Sequence, residues 1–113
     1  MRRGVLSGAF CFWAATAVAA EPKVYSGEEA GALRCANAMA LTAVALSDAG
    51  LMTDAEKEVL LRVTVAILDR HVSGSWAQKK AALEVVRDRR NVGETLEDFQ
   101  VLAQRCLRQY PIN

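Results

Sequence analysis

Three cysteines and one histidine hold most of the chemistry open to this chain of 113 residues. Cys11, Cys35 and Cys106 could ligate a metal, act as nucleophiles or pair in a disulfide. His71 could ligate, or act as the base that a Ser-His-Asp or Cys-His mechanism requires. Spacing narrows the choice. No second cysteine or histidine stands at ligand spacing from Cys35 or Cys106, and the chain has no CxxC redox pair and no CxxCH haem attachment. It also lacks a glycine-rich phosphate loop. The paired carboxylates Glu28-Glu29 and Glu97-Asp98 fall in predicted first turns of helices, where the helix dipole favours anions without any acid–base role. His71 falls near a predicted helix end and reads as a structural or solvent-facing imidazole. An enzyme or metal carrier using His71 is the least favoured reading, and no cofactor is expected.

The N-terminus bears on what the cysteines do. MRRGVLSGAFCFWAATAVAAEP opens with Arg2-Arg3, continues uncharged from Gly4 to Ala20, and closes on the small residues Ala17-Val18-Ala19-Ala20 before Glu21-Pro22. Basic start, apolar middle and small-residue exit are the three parts of a secretory signal peptide. The apolar part is about seventeen residues, short for a bilayer span and diluted by Gly, Ser, Ala and Thr. Cleavage after Ala20 is therefore expected, with a periplasmic or secreted product. The alternative is a retained N-terminal helix that anchors the chain as an accessory subunit of a membrane complex. A lipoprotein is disfavoured, because Phe10 stands where a lipobox needs a small residue.

Removing 20 of the 113 residues leaves 93, and Cys11 leaves with them. An even pair of cysteines in an exported chain points to a Cys35–Cys106 disulfide. Loss of Arg2 and Arg3 moves the formal net charge from +1 to −1. That near-balance gives no global field for nucleic acid, and membrane contact is expected only if the N-terminal helix is retained.

Four helices can be placed after an extended segment, 21–27, and they make one domain over 28–113. The first runs from about Glu28 to Ala49 and stops at Gly50. The second opens with the capping box Thr53-Asp54-Ala55-Glu56 and runs to about Val72. Ser75-Trp76-Ala77-Gln78 starts a third that continues to about Arg90. Asn91-Val92-Gly93 breaks it, and Thr95 caps the last helix, which ends at Tyr110-Pro111. Short connections make neighbours antiparallel. The fold class is thus all-α: a small antiparallel four-helix bundle after a cleaved signal peptide, stapled by one disulfide. Periodicity makes the second helix the most enclosed, with only Glu58, Arg62 and Asp69 forming a polar strip. The third turns Trp76, Ala82, Leu83, Val85 and Val86 inward. The last is amphipathic, with Leu96, Phe99, Leu102, Ala103, Cys106 and Leu107 on one face.

The first helix is unusual. After Arg34 it runs thirteen residues, Cys35–Ser47, without a charge. At that length the run is too short for a membrane. It is either deeply buried, the favoured expectation, or docked through one face on a partner or a second copy. Burial predicts a monomer in which Val44→Lys is damaging. Ala40, Val44 and Ser47, opposite Cys35, Thr42 and Leu46, mark the face where docking would show. A second candidate surface is the basic flank of Lys80, Arg87 and Arg90, suited to an acidic protein or to lipid head groups, although a solvated face with cations at a helix C-terminus is the favoured reading.

The expectation from these residues is a non-catalytic exported module that binds another protein. In architecture alone, the plan resembles that of acid-stress chaperones of Gram-negative periplasms, and a periplasmic stress chaperone is a further alternative. No motif carries residues across from that resemblance.

Overall fold

The computed structural model describes residues 21–113, so the expected signal peptide lies outside the described residues. The described chain forms four α-helices and no strand: α1 (Gly27–Asp48), α2 (Asp54–His71), α3 (Trp76–Arg89) and α4 (Val92–Gln109).

Local chemistry sets the boundaries. α1 stops where Gly50 adopts φ +74°, a left-handed conformation that favours glycine. The Gly50 N–H then bonds Ser47 O at 3.0 Å and the Leu51 N–H bonds Leu46 O at 2.8 Å, the pair of bonds that defines a Schellman ending. α2 and α3 open with the two expected capping boxes. Thr53 Oγ1 accepts from the Glu56 N–H at 3.1 Å, and Ser75 Oγ accepts from the Gln78 N–H at 3.1 Å. The last helix departs from expectation. Asn91 caps it in a third box with Glu94, so α4 begins at Val92 and Gly93 lies in its first turn. Thr95 is not the cap. It is fully buried, and its hydroxyl donates to Asn91 O at 3.1 Å. Asn is as strong an N-cap as Ser or Thr, and the glutamate three residues on completes the box, which outweighs the glycine as a breaker. Glu97 and Asp98 consequently lie beyond the first turn.

α2, α3 and α4 each pack on α1 and hardly on one another. The enclosed element is therefore α1, not α2. Alanines make α1 thin enough to be approached from three sides: Ala32, Ala36 and Ala43 are wholly buried, as are Met39 and Thr42. α2 buries only Thr64, Ile67 and Leu68 and leaves Val59 and Val65 exposed, because a helix with one packed neighbour can cover one face only. On α3 the covered stripe is Lys79, Ala82, Leu83, Val86 and Arg90, while Trp76 and Val85 stay exposed. Val85 projects about 200° from Leu83 around the helix, which turns it outward.

α1 is also longer than its uncharged run. By length and composition the whole 22-residue helix could cross a membrane, so the length argument against a span does not hold. Packing against three other helices is what accounts for its apolar character, with half of its most apolar window buried inside the fold.

The segment before α1, the turn between α2 and α3, and the C-terminus converge beside the start of α1. Tyr25 donates its hydroxyl to Ser73 O at 2.7 Å, Glu29 Oε2 accepts from the Ser73 N–H at 2.6 Å, and Gln78 Nε2 donates to Glu21 O at 3.0 Å. The Cys35–Cys106 disulfide joins α1 to α4 with Cα atoms 5.8 Å apart, across a sequence separation of 71.

Candidate functional site

Where α3 crosses α1 the two helices leave a groove of about 280 Å³. α1 contributes Asn37, Ala40, Leu41 and Val44, which recur at i, i+3, i+4 and i+7 and so share one face. α3 contributes Leu83, Glu84 and Arg87. Small and branched apolar side chains make the walls, and the two opposite charges of α3 stand at the rim. Arg87 Nε donates to Asp88 Oδ1 at 3.0 Å, but both side chains are exposed, so that pair holds Arg87 only weakly. Val44 is 40% exposed. Along the uncharged run Cys35–Met39, Thr42 and Ala43 are buried, Ala40 and Leu41 are half-buried and Val44 is exposed, contrary to the expectation that Val44 is enclosed. Inside the core Thr42 Oγ1 has no hydrogen-bond partner among the described residues.

The six residues singled out from sequence separate into three groups. Ala40, Val44 and Arg87 meet in this groove although they come from helices separated in sequence by the whole of α2. Ser47 and Lys80 lie beyond it, half-buried and exposed respectively. Arg90 is diverted: its Nε stands 2.8 Å from Asp98 Oδ2, and Nη2 donates to Asp98 Oδ1 at 3.0 Å. Both side chains of that pair are largely covered, so Arg90 is tied to α4 and is not a free cation on the α3 flank.

Sequence reasoning missed Asn37, Leu41, Leu83 and Glu84. A signal for Asn37 was present, since it is an amide in the middle of a run of alanines and is buried to 3% exposure. A polar side chain at such a position needs a partner or a polar opening nearby.

His71 serves the fold. Its Nε2 lies 2.7 Å from Pro111 O, and a carbonyl only accepts, so Nε2 carries the proton and donates. The ring also meets Tyr110 edge-on, with centroids 5.5 Å apart. Among the described residues, no three of His, Cys, Asp or Glu stand together in a way that could hold a metal ion. Of the acidic pair in α1, Glu29 has a specific task. Its hydrogen bonds from Ser73 hold its carboxyl below the usual carboxylate range against the opposing effect of burial, with lesser help from the charges of Lys23 and Lys79. Burial, and then the Glu29 charge, push the Tyr25 phenol up.

Compared with known proteins, the chain matches no family model, no curated protein and no solved structure. The groove and the residues around it are therefore the basis for a functional reading.

Proposed function

We propose that this chain is an exported, non-catalytic helical module, an antiparallel bundle released by signal-peptide cleavage, and that it works by docking another protein on the α1–α3 groove. The observation that carries the reading is the groove itself: an apolar floor of Ala40, Leu41, Val44 and Leu83 with Glu84 and Arg87 at its edge. An apolar helix face rimmed by opposite charges suits an amphipathic segment of a partner, whose apolar residues fill the floor while its own charges pair at the rim. The disulfide and the basic, apolar, small-residue N-terminus support the exported address.

A photo-crosslinking residue placed at position 44 and expressed in the native host tests this. A discrete adduct is expected at 44, and none at 62 on the outer side of α2. Absence of an adduct at 44, or equal adducts at both positions, contradicts the reading. A broad smear from position 44 replaces a dedicated partner with the many clients of a stress chaperone.

A further inference from the structure

Toward the start of α1, the same seam between α1 and α3 opens into a second cleft of about 260 Å³, lined by Ala30, Arg34, Val86, Arg89 and Arg90. Ala30, Arg34, Asn37, Leu41 and Val44 step along one face of α1, so this cleft lies in line with the groove. Its character is different. Three arginines, one on α1 and two at the end of α3, line it together with the apolar Ala30 and Val86. Arg34 and Arg89 are exposed, and among the described residues neither has a carboxylate within ion-pair distance. Arg90 is held by Asp98 through one hydrogen bond from Nη2 and an ion-pair contact of 2.8 Å at Nε, which itself has no hydrogen-bond partner among the described residues. The cleft thus presents two cations without an ion-pair partner beside a third that is already paired with a carboxylate.

We infer that this cleft binds a phosphate group. A guanidinium fork matches two oxygens of either a carboxylate or a phosphate. A carboxylate is planar, carries one charge and is satisfied by a single fork. The excess of two positive charges and the approach from two helices suit a tetrahedral dianion, whose oxygens point in several directions at once. The phosphate could be free, on a soluble ester or on a lipid head group. The inference is independent of the protein-docking reading.

Calorimetric titration of the full protein with inorganic phosphate at low ionic strength tests it, with acetate titrated in parallel. Flotation with phosphatidylcholine vesicles, with and without phosphatidic acid, separates the sources. Phosphate is expected to bind, and Arg34→Gln and Arg89→Gln should each weaken it about tenfold or more, the loss expected for a charge-assisted contact. Arg108→Gln should change nothing, and unchanged melting of the two cleft variants would confirm that they fold. Flotation only with phosphatidic acid, lost in the same variants, assigns the phosphate to a head group; phosphate binding without flotation assigns it to a soluble ligand. Absence of phosphate binding, binding undiminished in both cleft variants, or acetate bound as tightly as phosphate would overturn the inference.

Discussion

Among the described glycines, Gly31 has the least room for a side chain. A Cβ at this position would collide with Tyr110 Oη at the seam between α1 and the C-terminus. Tyr110 is buried, and burial pushes its phenol up, with the Glu28 charge adding to the effect. Gly31→Ala should destabilise the fold by about 1–3 kcal/mol, the usual cost of an overpacked site. Adding Tyr110→Phe should recover most of that loss, which a double-mutant cycle of thermal melts would measure. Glu29 supplies a pH dependence. Its folded pKa is depressed, so its contribution is present in full above the ordinary value of 4.5 and is lost as pH falls through the lower folded value. Glu29→Gln can still accept from Ser73 but cannot titrate. Its melting temperature should fall less than the parent's as the pH is lowered below 4.5, and parallel curves would remove Glu29 from the acid response.

At the scale of elements, α1 makes a sharp distinction between adjacent residues. Ala43 is wholly buried and Val44 opens on the groove. Val44→Lys should therefore cost no more than about 0.5 kcal/mol, because a surface lysine keeps its solvation. Ala43→Lys should cost several-fold more by burying an unpaired charge. Denaturant midpoints of the two variants would test this, and equal losses would contradict the placement of the groove. Asn91→Ala should cost about 1 kcal/mol by removing the α4 cap. Two of the capping boxes were legible in the sequence, because Thr53-x-x-Glu56 and Ser75-x-x-Gln78 are local signals. The Asn91-x-x-Glu94 box was equally local but was masked by Gly93, which reads as a breaker inside the turn it belongs to. The exchange of roles between α1 and α2 was less accessible. Counting apolar residues favours α2, whereas the number of neighbours a helix can accept depends on how thin it is, and the alanines of α1 decide that. Periodicity marked Ala40, Val44 and Arg87 singly, but only the crossing of α3 over α1 brings them together, and the ion pair that removes Arg90 from that surface depends on where α4 returns.

At the scale of the molecule, the Cys35–Cys106 bond closes a loop across a sequence separation of 71, most of the described fold. Chain-entropy arithmetic for such a loop gives about 4 kcal/mol, a large share of the total for a domain this small. The bond lies at the same end as the Tyr25, Glu29 and His71 contacts, so the segment before α1, the α2–α3 turn and the C-terminus are held around one point. α3 is tied at its two ends, by Gln78 to Glu21 and by Arg90 to Asp98, and it shares a groove and a basic cleft with α1. The architecture is consistent with a rigid end that secures the fold and a seam left available for contact. The proposed function also requires export, since the disulfide and a partner outside the cytoplasm both depend on it. Intact mass spectrometry of the protein isolated from its native host tests that claim most directly. The predicted result is a chain that begins at Glu21 and is two hydrogens lighter than its reduced form, while a chain retaining residues 1–20 in the membrane fraction, or one carrying free thiols at Cys35 and Cys106, would contradict it.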